Sequence, residues 1–217
     1  MSEFPGIITV LAGVNGAGKS SVAGASVRSG GGEYFNPDEA ARRYRETVPG
    51  TTQEQANAWA WETGRKRLEE AISRELAFTF ETTLGGNTIP GMLLDAARAG
   101  IPVWIFYVGL SSAELHLARV RQRVAYGGHD IPEAKIRERW ENSLRNLIFL
   151  VPHLNALSVF DNSAEGDPAS GKSPAPLHIL SMRGGKITQM ISPPEAPLWT
   201  KPLLVAAMRQ DPEWTGT

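Results

Sequence analysis

The sequence has 217 residues, of which 41% are hydrophobic and 21% are charged, a balance typical of one globular domain. Its formal net charge of -1 gives no general attraction to nucleic acid or to an anionic membrane surface. Because the chain has no cysteines, disulfides, cysteine–zinc sites and thiol catalysis are excluded. No apolar run reaches the length of a membrane span, and the first residues form no secretory leader. We therefore expect a cytoplasmic protein with neither membrane nor nucleic-acid partners.

The first predicted elements are a strand, a glycine-rich loop and a helix. The β-branched and aliphatic run "GIITVLAG" is typical of a strand that is buried on both faces of a parallel sheet. The next stretch, "GVNGAGKSS", fits G-x-x-x-x-G-K-[ST] with Gly13, Gly18, Lys19 and Ser20 at the fixed positions. A helix is predicted from Lys19 to about Arg28, where "SGGGE" ends it. This order predicts a phosphate-binding loop rather than a chance glycine-rich turn.

Such a loop binds a nucleotide through converging backbone N–H groups and the positive end of the following helix. Lys19 is expected to reach the β- and γ-phosphates, and the Ser20 hydroxyl to ligate Mg²⁺. We therefore predict ATP and Mg²⁺ as cofactors. The loop residues predicted to bind the nucleotide are Gly13, Asn15, Gly16, Ala17, Gly18, Lys19, Ser20 and Ser21.

Helices and one strand are predicted to follow the loop. "DEAARRYRE" is a short helix, and "TTQEQANAWAWETGRKRLEEAISREL" is a longer one in which Thr51 and Glu54 have capping-box spacing. Trp59 and Trp61 are two residues apart on this helix, so their side chains point in different directions. "LAFTFE" is the next strand, and "GNTIPGMLLDAARAG" is a helix that stops at Gly100.

The pattern of alternating strands and helices continues to about residue 163. "IPVWIFYVGL" is a second apolar strand, and the helix "SSAELHLARVRQRVA" has capping-box spacing at Ser111 and Glu114. After "YGGHD" a helix resumes in "IPEAKIRERWENSLRNLIFL", and "LSVFDNS" is another strand. Strands that alternate with helices predict an α/β fold, here a three-layer P-loop sandwich with a mainly parallel sheet.

The end of the chain has a different character. Residues 164–217 contain a loop rich in Gly, Ser and Pro, a predicted hairpin that turns at Gly184-Gly185, and a Pro-rich tail. We predict a P-loop domain over residues 1–163 and, over residues 164–217, an appended hairpin and a tail that pack on the surface of the same domain.

Several classes of nucleotide-binding protein do not fit the sequence. A GTPase needs N-K-x-D and D-x-x-G motifs, and neither occurs. "SGGGE" resembles a transporter-ATPase signature but lies directly after the first helix, far upstream of where that signature belongs. The chain is also short for a motor or for a subunit of an AAA-type ring. Small P-loop kinases, which carry an arginine-bearing lid, match its size.

Two acidic residues are candidates for chemistry on an acceptor. Asp38 lies where a second short strand would end near the phosphate loop, and its carboxylate could take a proton from an acceptor hydroxyl. It could equally be a helix N-cap beside a proline. Glu81 follows an apolar strand, at the sheet edge where ligands bind in this architecture. With the hydroxyls of Thr82 and Thr83 it could bind a polar substrate or contact Mg²⁺ through water, or it could be an ordinary loop carboxylate.

The segment "ARVRQRVAYGGHDIPEAKIRERW" is a candidate lid at about residues 119–140. Arg119 and Arg123 are one helical turn apart and share a face, and Gly127-Gly128 offers a hinge. Arg137 and Arg139 lie on the returning helix, so guanidiniums could close over the phosphates. A solvated helical hairpin is the alternative. His129 has no partner at metal-ligand spacing and is expected to form a lid hydrogen bond or to be exposed.

Taken together, "GVNGAGKSS", "NPDEAARRY", "FETT", "RVAYGGHDIPEAKIRERWENSLRNL" and "VFDNS" resemble the zeta-toxin family of P-loop kinases over roughly residues 6–163. The resemblance implies a phosphotransferase fold and ATP-dependent phosphorylation of the 3′-hydroxyl of UDP-N-acetylglucosamine. It also implies a toxin that a small helical antitoxin holds inactive.

The resemblance assigns roles to individual residues. Lys19 and Ser20 match the phosphate and magnesium residues, and Asp38 matches the catalytic base. Glu81 matches an acidic residue of the substrate pocket, with Thr82 and Thr83 beside it. Arg123 and Arg139 are the best matches to the catalytic lid arginines, with Arg119 and Arg137 close enough to exchange roles. Asn162 falls where the adenine is held.

Two alternatives remain open beside this interpretation. One is a kinase of another small hydroxyl metabolite, without a toxin role. The other is a nucleotide-binding regulator that hydrolyses slowly and signals through a partner. A regulator does not need a carboxylate such as Asp38 opposite the γ-phosphate.

Overall fold

The computed structural model describes residues 6–22, 24, 34–165 and 174–216. In this part of the chain the strands are β1 (Ile8–Ala12), β2 (Phe78–Thr82), β3 (Val103–Gly109), β4 (Ala156–Asp161), β5 (Leu177–Arg183) and β6 (Lys186–Met190). They form one six-stranded sheet in the order β2-β1-β3-β4-β5-β6. β1 to β4 pair in parallel, and β5 and β6 pair antiparallel. The predicted α/β fold with a mainly parallel sheet is confirmed.

Helices cover this sheet; those before residue 163 agree with the predicted segments, whereas the helix at Lys201–Gln210 was not predicted. They are α1 (Pro37–Thr47), α2 (Gln53–Ser73), α3 (Thr88–Arg98), α4 (Ala113–Ala125), α5 (Glu133–Leu150) and α6 (Lys201–Gln210). Residues 19–22 and 24 are also helical. The predicted end of that helix near Arg28, the "SGGGE" stretch and residues 166–173 of the Gly-, Ser- and Pro-rich loop lie outside the described residues. No helix in the described ranges is long and apolar enough to cross a bilayer.

The parallel strands bring their carboxyl ends to one edge of the sheet. β1 is almost wholly buried, as its aliphatic run predicts. In register, Ala12 pairs with Thr82 of β2, and Gly109 of β3 pairs with Asp161 of β4. Outside β2, Phe35 adds a single parallel bridge to Phe80, which is the short second strand expected before α1. The phosphate loop, the residues after β2, the start of α1 and the residues after β4 therefore all lie at this edge.

The helix caps lie one residue later than predicted. At α2 the Thr52 side chain accepts from the Gln55 backbone N–H, and the Gln55 side chain accepts from the Thr52 N–H. This capping box replaces the predicted pair of Thr51 and Glu54. Ser112, the residue after the predicted cap, accepts the Leu115 backbone N–H in the first turn of α4. Each predicted cap residue has a second Ser or Thr directly after it, and either residue could serve as the N-cap. Only the backbone conformation decides which of the two does so.

The C-terminal segment belongs to the same sheet and core. The hairpin turns at Gly184 and Gly185, whose φ angles of 55° and 77° suit the turns that join antiparallel strands. β5 pairs with β4, so the hairpin extends the main sheet. The prediction that the Pro-rich tail lies on the surface is wrong. α6 buries Leu203 and Leu204, and the 3₁₀ turn before it buries Trp199, all in the main hydrophobic core.

The outer edge of β6 contacts residues that follow α6. The buried Asp211 carboxylate accepts the Ile187 backbone N–H at 2.9 Å and forms an ion pair with Lys186 at 3.0 Å. The backbone hydrogen bond, and next the Lys186 ammonium, hold the pKa of Asp211 below its usual value. Asp211, which follows α6, thus bonds the segment after this helix to β6.

Candidate active site

The phosphate loop requires glycine at three positions, 13, 16 and 18, of which the first and last are the most constrained. Gly13 has a φ of +140°, and a Cβ there would lie 2.1 Å from the Val108 carbonyl oxygen. Gly18 has a φ of +88°, and a Cβ there would lie 2.6 Å from the Asn162 side-chain nitrogen. The Asn162 carboxamide also donates to the Ala17 carbonyl at 2.8 Å. Asn162 therefore braces the loop from the side of β4.

Three groups with the chemistry of a magnesium–phosphate site meet at the end of this loop. Lys19 is 6% exposed, and its Nζ lies 3.4 Å from Glu81 Oε1. The Ser20 hydroxyl donates to Glu81 Oε2 at 2.9 Å. Mg²⁺ prefers hard oxygen ligands and is commonly bound by one or two protein groups together with substrate phosphates. A buried lysine beside a hydroxyl and a carboxylate fits that requirement.

Asn36 joins this cluster to the start of α1, and sequence reasoning missed it. Its Nδ2 donates to Glu81 Oε2 at 3.2 Å, and its Oδ1 accepts the N–H groups of Asp38 and Glu39 at 2.9 and 3.3 Å. Asn36 is therefore the N-cap of α1, with Pro37 at the first helical position. The alternative that Asp38 is the cap is wrong, and its carboxylate is left for other contacts. The order Asn-Pro is a known helix start and could have revealed this cap.

The Asp38 carboxylate faces the candidate lid. It is about half exposed, with Oδ2 3.7 Å from Arg123 Nη1 and Oδ1 3.9 Å from His129 Nε2. Arg123 also donates to the His129 carbonyl at 3.2 Å. Among the described residues the Nε of Arg123 is buried and has no acceptor. The guanidinium beside Asp38 is therefore incompletely hydrogen-bonded within the described residues.

The other lid arginines separate into different positions. Arg139 lines the cleft and donates to the Asn15 side chain of the phosphate loop at 2.9 Å. Arg119 donates weakly, at 3.5 Å, to a backbone carbonyl after β4. Arg137 forms ion pairs with an acidic residue of α4 and one of α5, and the shorter of the two, at 2.7 Å, is with Glu114. Arg137 does not line the cleft. Of the two arginines on α5, Arg139 is the one at the phosphate loop.

Thr82 and Thr83 end β2 on the wall of the cleft. Each hydroxyl oxygen accepts a backbone N–H of the next residues at 3.3 Å. Since the described residues provide no acceptor for either hydroxyl proton, both O–H groups can donate to a ligand.

Side chains of α5 hold the loop that follows these threonines. Ser143 donates to the Thr83 carbonyl at 2.6 Å and lies 3.0 Å from the buried Tyr107 hydroxyl. Asn146 donates to two carbonyls of the same loop, at 2.7 and 2.9 Å. Burial raises the pKa of Tyr107 to about 12, so it stays neutral. Ser143 and Asn146, which belong to the end of the quoted segment "IPEAKIRERWENSLRNL", therefore hold the loop after β2 in place.

His116 connects α4 to the phosphate loop. Its Nδ1–H donates to the Asn15 carbonyl at 2.8 Å, and the side chain is almost fully buried. Burial, assisted by the charges of Lys19 and Arg119, lowers the pKa of His116 to about 4. The neutral ring thus supports the loop from inside the protein.

This buried histidine predicts a loss of stability in mild acid. In the unfolded chain His116 titrates near its ordinary pKa of 6.5, so below that pH the unfolded state binds a proton that the folded state refuses. We expect the contribution of His116 to the free energy of unfolding to be complete above about pH 6.5 to 7. It should fall by about 2 kcal/mol between about pH 7 and pH 5. The measurement is urea unfolding of the wild type and of His116→Gln across this range. Parallel pH profiles for the two proteins would contradict the assignment.

The predicted site residues converge on one open cleft of about 490 Å³. Those that line it are Asn15, Lys19, Asp38, Glu81, Thr82, Thr83 and Arg139. Ser20 and Arg123 adjoin it through their bonds to Glu81 and Asp38. Ser21 is exposed at the surface, whereas Asn162 and Arg119 lie beside the phosphate loop at its β4 side. The cleft also has a wall from α2, which the sequence did not assign to the site.

Sequence comparison identifies the family. The family described as "AAA domain" matches residues 8–147, and the chain belongs to it. The matched part runs from β1 to α5 and contains the phosphate loop and the candidate lid. The fold is P-loop and kinase-like. The expectation that the chain is not a ring subunit rests on its length and remains a prediction.

Individual relatives give the fold but no established activity. An uncharacterized protein of Haemophilus influenzae is 36% identical over 80 residues, which cover 36% of this chain and 57% of that protein. A chain of the AvrRxo1-ORF1:ORF2 complex crystallised with ATP has a TM-score of 0.63 at 15% identity, over 85% of this chain and 60% of that one. The structure of the PezAT chromosomal toxin–antitoxin system of Streptococcus pneumoniae has a TM-score of 0.51 at 15% identity, over 80% and 75%. This chain thus spans only about three fifths of the first two.

Proposed function

We propose that the protein is an ATP- and Mg²⁺-dependent kinase that transfers the γ-phosphoryl group to a hydroxyl of a small molecule. One observation carries the proposal: the phosphate-loop lysine and a carboxylate outside the loop, Asp38, line the same cleft. A protein that only binds or hydrolyses a nucleotide has no need for a base on the acceptor side.

In this mechanism the oxygen of the acceptor hydroxyl attacks the γ-phosphorus while the bond to the leaving oxygen of ADP breaks. Asp38 takes the hydroxyl proton as the new bond forms. Lys19 and the loop N–H groups hold the phosphates in line, and positioning of this kind supplies most of the catalysis in phosphoryl transfer. Mg²⁺, which Ser20 and Glu81 would hold, neutralises charge on the phosphates.

The lid arginines supply the remaining positive charge. Arg139, which is bonded to the phosphate loop, and Arg123, whose Nε has no acceptor among the described residues, are the candidates to meet the transferred group. Arg123 Nη1 lies 3.7 Å from the Asp38 carboxylate. A γ-phosphoryl group that attracts Arg123 would release the Asp38 carboxylate for the acceptor. Closure of residues 119–140 over ATP is therefore part of the proposal.

The candidate acceptor is a sugar nucleotide such as UDP-N-acetylglucosamine, which the zeta-toxin resemblance suggests. The same resemblance suggests a small helical antitoxin as partner, and the names of the structural neighbours, a two-component complex and a toxin–antitoxin system, agree with it. A short reading frame beside the gene would support that partner. The alternative, a regulator that binds ATP without transferring it, is favoured by the pairing of Asp38 with Arg123.

One experiment separates these functions. The purified protein is incubated with Mg·ATP and a panel of hydroxyl metabolites that includes UDP-N-acetylglucosamine, and products are read by mass spectrometry. We expect one class of acceptor to gain a phosphoryl group while ADP forms in equal amount. ADP formation without any phosphorylated acceptor would instead favour the regulator.

A further inference from the structure

The part of the cleft wall that α2 forms differs in composition from the part at the phosphate loop, where Lys19 and Arg139 lie. Glu54, Asn57 and Trp61 follow one another at helical spacing, so they share the face of α2 that lines the cleft. The same cleft is also lined by the hydroxyl-bearing Thr82 and Thr83 at the end of β2. The wall thus combines one large aromatic ring with short hydrogen-bonding groups.

The two tryptophans of α2 serve different purposes. Trp59 stacks on Tyr44 of α1 with ring centroids 4.4 Å apart, so it holds the two helices together. Trp61 is 49% exposed while it lines the cleft, and the ring contacts found in the described ranges do not include it. An indole that is half exposed at a cleft wall and stacks on no other described ring has a face that a ligand could cover.

The cations near this wall are already neutralised. Arg65 uses Nε and Nη2 on Glu62 and Nη1 on Glu69. Lys135 lies 3.2 Å from Glu138. Glu54, for which the described residues provide no ion pair, adds a negative charge to the same wall. An anionic group at this wall would find no unpaired cation among the described residues that line it, whereas Lys19 and Arg139 line the phosphate-loop end of the cleft.

We infer that this α2 wall is the acceptor subsite, and that it takes an uncharged ring stacked on Trp61. The inference rests on the proposed kinase function. Glu54, Asn57 and the two threonine hydroxyls would bond the edge of the ring, since carboxylate, carboxamide and hydroxyl groups suit neutral donors and acceptors. The ring could be the apolar face of a sugar or a heterocyclic base, because both stack on an indole.

The test uses Trp61→Ala, Trp61→Phe and the matched control Trp59→Phe from the same helix. In acceptor kinetics Trp61→Ala should raise the acceptor KM by about 10- to 100-fold, the reach of one stacking contact. The KM for ATP and the rate at saturating acceptor should stay near wild type, which a merely structural role would not give. Trp59→Phe should leave the acceptor KM unchanged. Equal acceptor KM values for wild type and Trp61→Ala, or a parallel loss of ATP binding, would overturn the inference.

A binding measurement keeps the inference separate from the proposed activity. Tryptophan fluorescence of the Mg·ATP-analogue complex is titrated with N-acetylglucosamine, uridine, glucose and glucuronate. We expect an uncharged ring to quench the wild type but not Trp61→Phe, and this result would support the subsite even if no acceptor were phosphorylated. Quenching by the sugar or by the nucleoside identifies the source of the ring. Stronger quenching by glucuronate than by glucose, or no quenching of the wild type by any probe, would refute it.

Discussion

Asp38→Asn is expected to lower phosphoryl transfer by about 10²- to 10⁴-fold, the usual reach of general acid–base catalysis. Asparagine has nearly the same shape but cannot take the proton of the acceptor hydroxyl. The Asn36 cap bonds only the backbone N–H of residue 38, so the start of α1 should be preserved. ATP affinity should change little because Lys19 and Ser20 remain. The measurement pairs ATP titration with mass spectrometry of the phosphorylated acceptor.

A second carboxylate of the cleft provides the control for this prediction. Asp130 also lines the cleft, but its carboxylate bonds the backbone N–H of Ile131 and has no place in the mechanism. Asp130→Asn should therefore transfer phosphoryl groups at close to the wild-type rate. If Asp38→Asn transferred as well as Asp130→Asn, Asp38 would not be the base.

Lys19→Ala is expected to reduce turnover by on the order of 10²-fold or more, by comparison with the loss of one oxyanion-hole donor. Lys19 is the cation of the phosphate loop, and phosphoryl transfer depends on positioning and on compensation of negative charge. ATP binding should weaken as well, in contrast to the result for Asp38→Asn. The steady-state rate and ATP titration measure the two effects.

Two comparisons test whether the lower turnover of Lys19→Ala comes from the phosphate loop and not from a loss of stability. Removing Lys19 leaves Glu81 buried, although Ser20 and Asn36 still donate to it, so thermal unfolding must be measured for the variant. Lys135→Ala removes another lysine that lines the same cleft and should leave turnover nearly unchanged. Near-wild-type turnover of a folded Lys19→Ala protein would remove the phosphate-loop assignment.

Local patterns were sufficient to predict the order of the strands and helices up to about residue 163 and the position of the phosphate loop. The apolar run before Gly13 can be only a strand buried on both faces, and the loop motif needs a strand before it and a helix after it. Asp38 and Glu81 were found because carboxyl ends of parallel strands share an edge. Each of these inferences depends on neighbours in sequence.

Contacts between distant segments could not be predicted in this way. The choice between Arg137 and Arg139 depends on Glu114, which lies on another helix and attracts Arg137 away from the cleft. Asn36 was passed over because its two partners, Glu81 and the first amides of α1, meet only in the folded chain. The Pro-rich tail was placed at the surface because proline marks turns, yet the residues after it form a helix whose buried leucines belong to the main core.

Asp211 has a consequence for how copies of the protein meet one another. A strand at the edge of a sheet offers N–H and C=O groups that can pair with a strand of another molecule. At β6 the Asp211 carboxylate occupies the Ile187 amide, and it also holds the Lys186 ammonium close by. A buried charge at this position opposes an incoming backbone carbonyl, which would have to displace a carboxylate that is already bonded. Asp211, which directly follows the last described helix, therefore disfavours the pairing of this edge of the sheet with a strand of another molecule.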